Sequence, residues 1–257
     1  MTEAVPNLVA PDAVRVWRGF RLPALSPADF YSKLGTVFVP ATVLMQIDVG
    51  LHSYTPTVPG GLDGKPDAVP DETAILFWES QATYWNGFTT LAVRTYTLTH
   101  NGVYLTAGGQ SRADFPVLFD GSLTADQPVY LIDKPADWMH GHVEHLVAAR
   151  PATTDPDTFH AAVAGAIGKI QSSVPLDGAI ACVGADYVVY WELSPAAPGE
   201  KQGPSGIPII LAACTDWSHV FTPAPTFVPV GLWDEWSGMD VVAGSSLNMQ
   251  FTRRSSA

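Results

Sequence analysis

Apolar residues run almost unbroken through several short stretches of the chain and recur every fourth residue in a few others. GLHSYTPTV, TAILFWES, GAIACVGA and DYVVYWELS are rich in β-branched and aromatic residues and read as strands. Phe30, Leu34 and Phe38 recur at a spacing of four behind Ser26-Pro27, and Phe159, Val163 and Ile167 do so behind Asp155-Pro156. A side chain able to accept from a backbone N–H, followed by Pro at the first helical position, starts a helix. Each passage therefore predicts a strand ending in Arg (Arg21 or Arg150), a short loop and an amphipathic helix. Residues 80–100 place Phe88, Ala92, Tyr96 and His100 at spacings of four with Asn101-Gly102 as a stop, which predicts one further helix. IPIILAACTDW reads as strand-like, LWDEWSGM as a short helix and SLNMQFTRR as a closing strand.

The two helix starts lie at a constant offset. Sliding the chain by 129 residues puts Arg21 on Arg150, Ser26 on Asp155, Phe30 on Phe159, Leu34 on Val163 and Phe38 on Ile167, and 129 is close to half of the 257 residues. Farther on, Trp78-Glu79 matches Trp191-Glu192 at an offset of 113, the first half carrying a Pro/Gly/Asp-rich surface loop at 56–71. The pattern predicts an α+β protein with two repeats, 12–133 and 138–254, each β-α-β-β followed by a helix or crossover and a last strand. The sheets are expected to be largely antiparallel and packed against each other.

Composition narrows the partners. With 47% hydrophobic and 15% charged residues the chain has the makings of a packed core, and a net charge of −12 lacks the Lys/Arg surface that nucleic acid or an anionic membrane requires. The amino terminus bears Glu3 and no basic segment ahead of an apolar run, and the apolar runs at 36–45 and 207–214 fall short of the roughly 18 residues of a spanning helix. The expectation is a soluble, cytoplasmic protein. Cys182 and Cys214 sit in apolar runs and read as buried free thiols. GxSxG, GxxxxGK[ST], CxxC and HExxH are absent from the sequence and no Gly-rich dinucleotide turn stands in a strand-helix context, so the sequence gives serine-hydrolase, NTPase and Rossmann-oxidoreductase readings little support.

The β-α-β-β-(α)-β order, the Trp-Glu strand ends and the tandem repeat resemble the dimeric α+β barrel superfamily of ferredoxin-like domains, with two domains fused in one chain. That resemblance implies a sheet-lined cavity for a small hydrophobic or aromatic molecule. It spans cofactor-free oxygenases of aromatic polyketides, cyclases and dehydratases with a His/Tyr pair, and haem enzymes of the chlorite dismutase and aldoxime dehydratase type. The leading expectation is a lyase or oxygenase working by His/Tyr acid–base chemistry without an organic cofactor. A haem enzyme with a His axial ligand and a non-catalytic ligand-binding protein are the alternatives. A fused tandem can close its barrel within one chain, so monomer and homodimer both stay open, with the aromatics of GLWDEW as a dimer contact.

Three His-centred pairs supply the chemistry. In DWMHGHVEHL, His140, His142 and Glu144 alternate as they would on one strand face, with His145 on the other. Such a run offers nitrogen and oxygen ligands to a divalent ion such as zinc, or a basic His142 whose tautomer Glu144 fixes. His100 with Tyr96 on the predicted helix, and His52 with Tyr54 two residues along a strand, are the other pairs suited to proton transfer. Each has a plainer reading, as a strand start, a helix-terminal cation or a strand-edge residue. Glu79 and Glu192 are read as salt-bridged or loop-bonded acids or as a quasi-symmetric carboxylate pair, and Arg21 and Arg150 as structural partners of those acids or as binders of a substrate carboxylate.

Overall fold

Unbroken apolar runs become strands when both faces are covered, and alternating ones when one face meets helices. The structure, a computed structural model, describes residues 8–195, 203–214, 216–223 and 241–250. It divides into two units: a first of 13–65, 70–114 and the described chain from 223 onward, and a second of the described residues up to 12, with 66–69 and 115–222.

In the first unit β1 (Val14–Gly19) leads to α1 (Pro27–Lys33), a π-helical stretch Leu34–Phe38 and α2 (Val39–Gln46). Ser26 caps α1 by accepting from Asp29 N, with Pro27 in the first turn. Pro40 has no N–H to give to the preceding turn, and the helix widens at the π stretch that leads into it. β2 (Leu51–Thr57) and β3 (Glu72–Trp78) follow, then α3 (Gln81–Gly87), α4 (Leu91–Thr99) and β4 (Arg112–Asp114). The single helix expected over 80–100 is thus two, because Thr90 adopts extended backbone and caps α4 through Val93 N.

The second unit begins with two short strands, β5 (Val117–Leu118) and β6 (Val129–Tyr130), followed by β7 (His142–Ala149), α5 (Pro156–Ser173), β8 (Gly178–Val183), β9 (Tyr187–Ser194), α6 (Ile207–Leu211) and β10 (Ser218–Phe221). The strand-like reading of IPIILAACTDW is corrected: Pro208 in a first turn starts the short helix α6. β11 (Met249–Gln250) returns to the first unit and pairs with β2. The short helix read at LWDEWSGM, with Trp233 and Trp236, lies outside the described residues. Among the described residues no helix is long and apolar enough to cross a membrane.

The fold is mixed α+β. The first sheet runs β11-β2-β3-β1-β4 and the second β10-β7-β9-β8-β6-β5. Every pairing is antiparallel except β5 with β6. The segment 115–133, expected with the first half, packs in the second unit, and the chain at 241–250 packs in the first.

Arg21 and Arg150 do the same work at their matched positions. Each guanidinium donates to the carbonyl four residues on, Leu25 or Thr154, just ahead of the helix cap. Phe30, Leu34 and Phe38, like Phe159, Val163 and Ile167, are buried. The Trp-Glu match is different. At the offset that joins Arg21 to Arg150, Arg15 corresponds to Glu144, and the ladders pair Arg15 with Leu76 but Glu144 with Glu192. The two acids also differ in setting: Glu79 is exposed while Glu192 is buried.

The second unit fills its space between sheet and helices with side chains. Phe159, Val163, Ile167 and Ile170 of α5 pack on Leu146, Ala148, Val188 and Tyr190. Phe159→Ala removes a fully buried ring and is expected to cost about 3–5 kcal/mol, and Asp155→Ala, which removes the α5 cap, about 1 kcal/mol. Chemical denaturation of the two variants reads both; equal effects would contradict this account of the core.

Candidate functional site

Alternation along the first sheet turns Arg15, Trp17 and Gly19 of β1 to the same face as their ladder partners Leu76, Ala74 and Glu72 of β3. Tyr54, opposite Leu76, and Ala113, opposite Trp17, join them. Between this face and α2, α3 and α4 the side chains leave a mostly apolar cavity of about 320 Å³. Phe38 and Thr42 reach it from the π stretch and α2, Tyr84 from α3, and Tyr96 from α4. Its size falls at the lower end of small-ligand sites.

Glu72 anchors the wall. It is buried, and its carboxylate accepts from Tyr54 Oη at 2.7 Å, from Trp17 Nε1 at 2.8 Å and from the Tyr104 hydroxyl. Among the described residues no Lys or Arg pairs with it. Burial pushes its carboxyl above the usual carboxylate range, and the three donors pull the other way. Gly19 makes the cluster sterically feasible, since a Cβ there would come within 2.7 Å of Trp17 Nε1 and of the Tyr104 ring. Nearby, Thr42 Oγ1 donates to Phe38 O, so the 2.7 Å contact between Tyr96 Oη and Thr42 has the tyrosine as donor. Burial and the neighbouring Glu72 charge hold the Tyr54 hydroxyl well above its ordinary value.

His100 stands at the end of α4 against this cluster. Its ring meets Phe38 at 4.7 Å, Tyr96 at 4.9 Å and Trp17 at 5.2 Å, each edge to face. Only half-buried by surface area, the imidazole is nonetheless screened by these rings, and desolvation lowers its pKa to about 4. Nδ1 lies 3.1 Å from the Thr97 carbonyl. A carbonyl only accepts, so Nδ1 carries the proton and Nε2 the lone pair.

Of the three expected pairs, the structure brings His100 and Tyr96 together at the cavity. Tyr54 lines it as well, but a β-bulge between Leu51 and Ser53 breaks the alternation at His52, which does not. His142 and Glu144 start β7 in the second unit, half-buried, and neither lines this cavity. His140 precedes the strand in a turn and bonds Asp137 at 2.9 Å through Nδ1, so the HxHxE run is not one strand face. Among the described residues no group of His, Cys, Asp or Glu is arranged to hold a metal ion. Glu72, Arg15 and Trp17 were missed. For the two charged residues the signal was present, Glu72 heading the apolar strand ETAILFW and Arg15 standing within VRVWRG.

His145 is fully buried and stacked on Trp191 at 4.0 Å. His100 is ringed by aromatic edges in a cavity of about 320 Å³.

Two solved structures are similar to the chain, both of proteins named "putative monooxygenase". The one from Lactobacillus acidophilus NCFM is 9% identical and covers 80% of this chain and 90% of its own, with a TM-score of 0.33. The one from Fusobacterium nucleatum subsp. nucleatum is 8% identical and covers 70% and 74%, with a TM-score of 0.32. No family profile and no curated protein matches the chain.

Two predictions follow from the buried groups. Glu72→Gln keeps an acceptor for Trp17 and Tyr104 while its amide can donate to Tyr54, so it is expected to fold with little loss. Glu72→Ala strands three buried donors at about 1–3 kcal/mol each; denaturation midpoints decide, and a similar loss in both variants would contradict the hydrogen-bond account. Burial also lowers the pKa of His145 to about 3, as it lowers that of His100 to about 4. Below the unfolded value of 6.5 the unfolded chain takes up protons that the folded protein refuses. Stability present above pH 6.5 is therefore lost as the pH falls toward 4 and then 3. His145→Phe is expected to flatten that fall in midpoint against pH.

Proposed function

We propose that the first unit is an enzyme site in which a flat, mostly apolar or aromatic molecule occupies the cavity and gives a proton to Nε2 of His100. The observation that carries this reading is one neutral imidazole, in its Nδ1–H tautomer, lining the same mostly apolar cavity as the hydroxyl-bearing Tyr54 and Tyr96. A neutral imidazole is the general base, and removal of water strengthens every charge it meets. Tyr96 donates to Thr42 and Tyr54 to Glu72, which leaves both phenolic oxygens to accept from a ligand hydroxyl. When Glu72 holds a proton, it can donate to Tyr54 and turn that hydroxyl toward the ligand. The reaction class is cofactor-free oxygenation, cyclisation or dehydration.

This reading takes the two units as fused ferredoxin-like copies of the dimeric α+β barrel type. Its support is the common strand order, fourth-first-third-second (β4-β1-β3-β2 and β10-β7-β9-β8), and the Arg-clamped, side-chain-capped helix that opens each unit.

The test is turnover of a panel of hydroxylated naphthalenes and aldoximes, with product deuteration in D2O reporting proton transfer and oxygen uptake separating oxygenase from cyclase or dehydratase. His100→Gln is expected to lower kcat by about 10²–10⁴-fold. Because the base must be unprotonated, kcat/KM is expected to persist through neutral pH and fall only below about pH 4. A His100→Gln variant as active as the parent would sink the proposal.

A further inference from the structure

The helix stripe that opens the first unit changes character as it crosses the cavity. Phe30, Leu34 and Phe38 are apolar, and the same spacing of four continues with Thr42 and Gln46, both buried and both lining the cavity. The Thr42 hydroxyl is satisfied, donating to Phe38 O at 2.9 Å and accepting from Tyr96. Gln46 is not. Its side chain is as buried as the core at 4% exposure, yet among the described residues nothing hydrogen-bonds its amide. Nor is the amide sealed among packed atoms, as the unpaired indole N–H of Trp78 is. The surface it keeps is cavity wall. The matching stripe of the second unit, Phe159, Val163 and Ile167, leads instead to Gln171, whose Nε2 donates to the Leu131 carbonyl at 2.9 Å.

A buried amide without a partner lowers stability, because the water it lost is not replaced. Such local misfits belong to functional sites. The hydrogens of the neighbouring hydroxyls are committed: Tyr96 donates to Thr42, Tyr54 to Glu72, Thr97 to the Val93 carbonyl and Ser111 to the Phe20 carbonyl. In this arrangement their oxygens, like Nε2 of His100, accept from a ligand. Gln46 offers N–H groups that no described residue uses. It ends α2, eight residues beyond Phe38 and about 12 Å along the helix axis. His100 packs against Phe38 at 4.7 Å. The free donor and the proton acceptor thus stand toward opposite ends of the stripe.

We infer that, on the reading of this cavity as a ligand site, its ligand carries a carbonyl oxygen at the end remote from His100, and that the Gln46 amide N–H holds that oxygen. Gln46 is a specificity-determining residue, and proton transfer stays with His100. A carbonyl accepts and donates nothing, so it matches a free N–H and finds no hydrogen on the committed hydroxyls. Where that carbonyl is conjugated through the aromatic body to the hydroxyl that loses its proton to Nε2, the charge left behind spreads onto the oxygen at Gln46. The donor then holds it more strongly as the proton leaves.

The test titrates 6-acetyl-2-naphthol and 6-isopropenyl-2-naphthol, which differ by a carbonyl oxygen in place of a methylene carbon, into the whole chain by calorimetry at about pH 6.5, well below phenol ionisation. Gln46→Met, of similar length but without the amide, is expected to bind the ketone about tenfold more weakly than the parent does and the alkene equally well. The same variant is expected to denature at a higher midpoint than the parent, since an unpartnered polar group leaves the core. Unchanged ketone binding in Gln46→Met, with both probes bound by the parent, overturns the inference while leaving the cavity a ligand site; the amide then serves bound water only. An equal loss for ketone and alkene overturns it as a packing effect. A Gln46→Met protein that fails to fold, or melts well below the parent, shows an amide needed by the fold and overturns it too. Failure of the parent to bind either probe removes the ligand-site reading, and the role of Gln46 with it.

Discussion

A buried carboxylate without a cation is stable only when donors replace the water it lost, and at Glu72 those donors come from three separate parts of the first unit. Trp17 belongs to β1, Tyr54 to β2 and Tyr104 to the chain after α4. The cluster therefore fixes the spacing of two strands and the return of the chain behind α4 at once. Trp17 and Tyr54, held by it, also form the cavity wall, and His100 leans its ring on Trp17. Loss of the carboxylate would free every one of those side chains from its present orientation.

The two units show how one local plan gives a packed core in one place and a cavity in the other. Both open with an arginine clamp, a capped helix and three buried side chains at spacings of four. In the second unit α5 runs unbroken for 18 residues and its apolar stripe closes on the sheet. In the first, the π stretch ahead of Pro40 interrupts the helix, and the sheet presents the large side chains Arg15, Trp17, Tyr54 and Glu72. Large polar side chains that must reach fixed partners cannot also interdigitate as Leu and Val do, and the space they leave is the cavity.

The sequence by itself determined the local elements and the composition of the core. Caps, Pro at helix starts and the four-residue spacing act within a turn or two of the chain, so Ser26, Asp155 and the helices behind them were legible. So were β2, β3, β8 and β9, and the pairing of His100 with Tyr96 along one helix face. Tertiary structure alone decided the rest. Register is set by long-range hydrogen bonding, and it places Leu76 opposite Arg15 and Glu192 opposite Glu144. A bulge at His52 broke the alternation that would have paired it with Tyr54 along one face, and His52 does not line the cavity. Which polar side chains meet depends on contacts across tens of residues, such as those that bring Tyr54, Trp17 and Tyr104 to Glu72. An isolated acid in an apolar run announces that it must find donors, but only the folded chain says which ones, because their positions are fixed by strand order rather than by spacing along the sequence.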